Sequence, residues 1–229
     1  MSEPSVSSSR ALHWLAQMRR HPSALLLVVQ LVEIVAYPLL ERTSGAQLVL
    51  GAFGVVVLLL ALRLIRFTVG RVELGIVLAL IWATLGALWV IFDLDALQSW
   101  QAGVSAVFYF YAAWCLIAYM LADRRATSDE LFAASATFTL LAWAFTHLLV
   151  LCQALQPGAF SVAGTLDPRS WSELMYLSFA LLSSTGIGDI LPVTALARAV
   201  AALEMFTGVM YLALVVSRLV GLAARPPSA

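Results

Sequence analysis

Six long apolar stretches, at roughly 24–40, 46–65, 72–92, 103–122, 131–155 and 195–222, alternate with short polar breaks along the 229-residue chain. A helix of about 20 apolar residues crosses a hydrocarbon core of about 30 Å, so each stretch predicts a membrane-spanning helix. The breaks ERTSG, RFTVGR, FDLD and ADRRATSDE are rich in residues that end helices and start turns. The fifth break is longer. It holds PGAFSVAGTLDPRS and then a further apolar run, WSELMYLSFALLS at 171–183, which is too short to span. Ser170 and Glu173, at the start of that run, have the spacing of a capping box, in which each side chain accepts from the other residue's amide. A helix that begins at one surface and ends inside predicts a re-entrant segment. Its return runs at membrane depth without regular structure, which is tolerated only inside protein or beside water.

Composition agrees with this layout: 62% of residues are hydrophobic, 11% are charged, and the formal net charge is zero. With a mean hydropathy of +0.94, the chain falls outside the profile of soluble domains and reads as an all-α integral membrane protein. Every basic residue is arginine and no basic run is long, which excludes nucleic acid as a partner and leaves lipid as the surroundings. Cys115 and Cys152 fall inside apolar stretches, where a thiol acts as a small hydrophobe. The first apolar run ends without a cleavage pattern, so it reads as a retained helix rather than a signal peptide. Residues 11–20, ALHWLAQMRR, read as a short interfacial helix.

Arginine placement predicts orientation, because cytoplasmic flanks carry the positive excess. With the N-terminus inside, Arg10, Arg19, Arg20, Arg63, Arg66, Arg71, Arg124, Arg125, Arg218 and Arg225 are cytoplasmic, and only Arg42, Arg169 and Arg198 face outward. Both termini are then cytoplasmic and the long fifth break opens to the outside. The chain divides into a cytoplasmic segment 1–23, a peripheral four-helix bundle 24–125, a unit 126–222 holding the re-entrant segment, and a short tail 223–229.

The return of the re-entrant segment begins SSTGIGDI, 183–190. In a soluble protein G-x-G-D reads as a turn; at membrane depth it lies beside water or ions. Ser184, Thr185, Gly186, Ile187, Gly188 and Asp189 resemble the filter of tetrameric P-loop potassium channels, T-x-G-Y-G-D. Residues 176–221 resemble the pore helix, filter and inner helix of a family of small bacterial six-helix potassium-channel-like proteins. The resemblance covers about the last hundred residues; the first hundred share only the general layout.

The resemblance implies a homotetramer around one axial pore in the bacterial inner membrane, potassium-selective passive conduction, no enzyme activity, and no cofactor beyond permeant K+. K+ would lose its hydration shell to rings of carbonyls from Thr185, Gly186, Ile187 and Gly188, with Ser184 closing the inner end through carbonyl and hydroxyl. Gly186 and Gly188 would take left-handed backbone angles, so that successive carbonyls face one side. The negative end of the pore helix near Ser183 would favour cations, and Asp189, with Asp167, would concentrate them at the outer mouth. Ile187 stands where the family has an aromatic that packs and donates behind the filter. Thr185 stands where it has valine, and its hydroxyl needs a partner. These departures motivate one alternative, a non-selective cation pore; a channel-like subunit that keeps the pore fold without conducting is a further reading.

The fourth stretch, GVSAVFYFYAAWCLIAYML, carries no arginine, which excludes a charge-moving voltage sensor there. Arg63 and Arg66 read as snorkelling anchors, and the tail GLAARPPSA leaves no room for an appended ligand-binding domain. Gly208 reads either as a hinge or as a site of close helix packing. Leu212 and Val216 then follow on the same line of the last helix as candidate inner-pore residues. Glu204 is expected to hydrogen-bond the back of the pore loop, Gln30 and Glu33 to meet another helix, and His147 to bond a neighbouring carbonyl. A different class, an intramembrane serine protease using Ser183 or Ser184 with His147, requires those groups around one polar cavity.

Overall fold

A computed structural model describes residues 22–40, 46–65, 71–92, 95–122 and 128–223. The expected interfacial helix at 11–20, the tail beyond 223, and several of the arginines that set the orientation lie outside them. The described residues form seven helices and two short strands in order: α1 (Pro22–Leu40), α2 (Ala46–Ile65), α3 (Val72–Phe92), α4 (Asp95–Ala122), α5 (Ser128–Leu155), β1 (Phe160–Val162), α6 (Trp171–Leu182), β2 (Ile190–Pro192) and α7 (Ala195–Ala223). Five of them, α1, α3, α4, α5 and α7, are long and apolar enough to cross a membrane. Among the described residues α2 contributes the apolar stretch Gly54–Leu64.

α4 differs from its expected start at 103 by beginning at Asp95. The polar stretch ALQSWQ looks like loop in the sequence but continues the helix. Just beyond it Ala102 is buried, and the Ser105 hydroxyl bonds back to the Gln101 carbonyl at 2.8 Å, so that hydroxyl is satisfied without leaving helical geometry. α5 also starts earlier than expected, at Ser128, with Asp129 and Glu130 in its first turn, where acids favour the helix dipole.

α5 is the centre of the bundle, packing against α1, α4, α6 and α7. Its sequence explains why. Ala133, Ala136, Leu140 and Ala144 recur every three or four residues, all completely buried, and small residues at that spacing allow close helix approach. They share one core with Ala112, Ala113 and Leu116 of α4. Thr137 and Thr146, also buried, donate to the carbonyls four residues back at 2.7 and 2.8 Å, so these two hydroxyls do not compete with packing. The Gln30 amide of α1 meets the Ala136 carbonyl, the contact to another helix expected for it.

One end of the bundle is tied by polar contacts. Ser23 at the start of α1 donates through its hydroxyl to Asp129 at 3.0 Å, and Arg218 near the end of α7 pairs with Glu130 at 3.2 Å. At the opposite end β1 and β2 pair antiparallel, Phe160 with Pro192 and Val162 with Ile190, and the Val193 amide adds a bond to the Ala159 carbonyl at 2.9 Å. This clasp fastens together the two ends of the excursion that contains α6.

Candidate functional site

The start of α6 is held from two sides. Ser170 caps it as the sequence predicts: its hydroxyl accepts from the Glu173 amide at 3.3 Å, and Glu173 accepts from the Ser170 amide at 2.7 Å. The side-chain amide of Gln153, on α5, clamps the backbone of Arg169 in both directions, donating to its carbonyl at 3.0 Å and accepting from its amide at 2.7 Å. Arg169 in turn reaches Glu173 at 3.7 Å and Asp167 at 4.0 Å. The Asp167 charge, proposed for the outer mouth, is thus partly offset by its own neighbour.

The end of α6 is capped by the candidate filter itself. The Thr185 amide bonds the Ala180 carbonyl at 3.0 Å and the Ser184 amide bonds the Leu181 carbonyl at 3.0 Å, the paired closure of a Schellman motif. That motif needs a left-handed residue just past the helix, usually glycine, and here it is Ser184 with φ of 56°. Sequence reasoning expected left-handed angles at the glycines only. Gly186 (φ 58°) and Gly188 (φ 78°) take them as well, so positive φ recurs at every second residue from Ser184 to Gly188. Alternation of this kind turns successive carbonyls toward one side of the strand.

The hydroxyl of Thr185 has its partner within the chain. It lies 2.6 Å from the Ser183 hydroxyl, which donates to the Phe179 carbonyl at 2.7 Å, leaving Thr185 to donate to Ser183. Residues Ser183 to Asp189 are all exposed, Ile187 at 61%. Asp189 accepts from the amide of Ile190 at 3.0 Å. Tyr176, in the second turn of α6, lies close enough to Asp189 to interact with it electrostatically, a contact that sequence reasoning missed. The signal available was a phenol on the helix that precedes the filter.

Behind α6, Ser178 contacts both the Ala142 carbonyl of α5, at 2.7 Å, and Glu204 Oε1 of α7, and all three groups are buried. Glu204 therefore meets the back of α6, the helix that precedes the candidate filter. Gly208, one turn further along α7, is buried against the end of α6: a Cβ there would overlap the Leu182 carbonyl. α7 runs through Gly208 without a break. Leu212 and Val216 are 41% and 57% exposed and belong to a largely apolar surface of α7.

Ser183 and Ser184 are not brought near His147. The imidazole stacks on Tyr109, with ring centroids 5.5 Å apart, and lies 6.2 Å from Trp171 at the opposite end of α6. Twelve residues of helix, about 18 Å at 1.5 Å per residue, separate the groups a serine protease would need together. Among the described residues no cluster of acids, histidines and cysteines could hold a metal ion.

A family model described as "Ion channel" matches residues 104–225, from within α4 to beyond the end of α7. No curated protein and no solved structure matches the chain.

Proposed function

The chain belongs to this ion channel family, which is potassium-channel-like, and from that premise we propose that four copies form one pore conducting K+ through the Ser184–Gly188 backbone. The observation that carries the reading is the alternation of positive φ at Ser184, Gly186 and Gly188 on a strand left wholly exposed in the single chain. A row of carbonyls on one face of one strand is a quarter of a cage; fourfold symmetry supplies the rest. K+ entering it exchanges water for carbonyl oxygens at little net cost and leaves by repulsion from the next ion.

The re-entrant path is supported by two features. α6 has 12 residues, about 18 Å of helix, against a hydrocarbon core of about 30 Å. The β1–β2 clasp also holds the departure and the return of the excursion together, so the chain comes back to the side it left. With α2 counted as a span, six helices cross the membrane, both termini are cytoplasmic by the arginine rule, and α6 enters from outside. In a bacterial cell this places the channel in the inner membrane.

Ile187 favours a second reading, a monovalent cation pore that does not distinguish K+ from Na+. Its aliphatic side chain has no donor to stiffen the filter, whereas Tyr176 beside Asp189 supplies a polar contact only at the outer end. Purified protein in a planar bilayer, with K+ on one side and Na+ on the other, separates the two. A reversal potential near the K+ limit is the expected result; clear current reversing near zero would establish the non-selective pore, and silence in both salts would leave a non-conducting subunit.

A further inference from the structure

A cavity of about 310 Å³ lies in the peripheral bundle, away from the pore loop, at the end of the bundle where α6 begins. Its walls are aromatic: Trp82 and Trp89 of α3, Trp143 of α5, Trp171 of α6, Tyr37 of α1 and Tyr109 of α4. Four of the seven tryptophans in the chain thus converge on one space. The rings brace one another, Tyr37 stacking on Trp171 at 4.1 Å and Tyr109 meeting Trp143 edge-on at 5.7 Å, so the walls are pre-organised. The volume is at the lower end of the range of small-molecule sites, about 300–1,000 Å³.

One acidic group faces this aromatic space. Glu33 of α1 lines the cavity, is 6% exposed, and its Oε2 has no hydrogen-bond partner. A carboxylate buried without a cation or donors is costly, so buried charges are normally paired. The chain has no lysine, and among the described residues no arginine lines the cavity; the basic side chain there is the His147 imidazole, stacked on Tyr109. Ring faces attract cations as well, most strongly when desolvated.

We propose that this cavity binds a small organic cation, an alkylammonium group, with the Glu33 carboxylate as counter-ion and the tryptophan and tyrosine rings as the cage. A hydrated inorganic ion would find a single carboxylate, with the neutral groups of Gln101 and Ser105 set among rings, whereas an alkylammonium presents a diffuse charge on an apolar surface that matches those rings. The group arrives either on a free amine or as the headgroup of a choline or ethanolamine lipid; the chemistry recognised is the same. Because Trp171 is both a wall of the cage and the first residue of α6, the bound cation would touch the helix that carries the filter. Binding itself requires no conduction.

Tetramethylammonium titrated into the full-length protein, in nanodiscs of phosphatidylglycerol alone, gives the test, read by tryptophan fluorescence. The expected result is a saturable change that tert-butanol, neutral and similar in shape, does not produce. Glu33→Gln should weaken binding about tenfold or more. Trp82→Leu, at a half-buried wall position, should weaken it about threefold. Intact thermal unfolding of each variant shows that the loss is local. Binding that disappears when phosphatidylethanolamine is added assigns the natural ligand to a lipid headgroup, and binding that persists assigns it to a soluble amine; both support the site. No saturable response, an equal response to tert-butanol, or Glu33→Gln binding as tightly as the parent chain would overturn it.

Discussion

The two halves of the molecule are built to different standards. Around α6, both helix ends are capped by named side chains or by the backbone of the candidate filter, and buried polar groups bridge three helices through Ser178. In the outer bundle, α3 contacts the rest chiefly along α4, and only 11% of its apolar window is buried, against 56% for α5. A helix in lipid needs no burial to be stable, since its backbone bonds are internal. An irregular strand at membrane depth has no such freedom, and each of its groups requires a partner or an ion. The specificity of the fold is therefore concentrated where regular structure is absent.

The sharpest way to break that contrast is at Gly186. An alanine at φ of 58° is disfavoured by about 1–2 kcal/mol in each chain, about 4–8 kcal/mol in a tetramer, and it would turn the carbonyl out of line. K+ flux into vesicles should fall to background for Gly186→Ala while helical circular dichroism is unchanged. Flux that survives would show that the filter backbone is not the conduction path.

A single type of substitution compares the two halves directly. At Gly208 a new Cβ would overlap the Leu182 carbonyl, so Gly208→Ala should destabilise the α6–α7 contact by about 1–3 kcal/mol, seen as earlier thermal unfolding in detergent. At Gly54, in α2, a Cβ meets nothing within 4 Å, and alanine should be neutral or stabilising by up to about 1 kcal/mol. Equal responses at the two positions would mean that packing is no tighter beside the filter than in the periphery.

Ser178→Ala and Glu204→Gln divide the polar bridge. Removing the hydroxyl leaves a buried carboxyl without a partner and should cost about 1–3 kcal/mol. The glutamine keeps a group of the same shape that can both donate and accept, and it should unfold within a degree or two of the parent chain, consistent with about 0.5 kcal/mol or less. If the glutamine variant is the worse of the two, the charge on Glu204 matters more than the bond to Ser178. The smallest expected effect is at Ser184. Glycine there relieves a left-handed serine and should raise stability by a few tenths of a kcal/mol up to about 1 kcal/mol, while removing the hydroxyl from the inner end of the filter. A gain in melting temperature together with slower K+ flux is the expected pairing.

The apolar stretches were legible because span length is a one-dimensional signal: the ends of α1, α2, α3 and α7 fall within two residues of where the pattern puts them. The capping box at Ser170 was equally plain, being a spacing of polar residues beside a hydrophobic run. ALQSWQ at the start of α4 was not, since Gln101 at its end lines a cavity whose other walls come from distant helices. The left-handed Ser184 was missed for a related reason. Filter reasoning looks at glycines, whereas the angle at Ser184 follows from how α6 has to end. The aromatic cage required tertiary structure altogether, because its six rings come from five helices and share no local pattern.

The β1–β2 clasp makes the stretch between Val162 and Ile190 a cassette with a closed neck. At that neck Val162 and Thr165 exchange both backbone bonds around Ala163 and Gly164, which are exposed and both at positive φ, so the chain reverses there in two residues without leaning on any helix. Extra residues spliced between Ala163 and Gly164 would lengthen only that reversal, leaving the spacing of α5 and α7 to the strands. The molecule thus carries its own attachment point for a label on the face from which ions are proposed to enter.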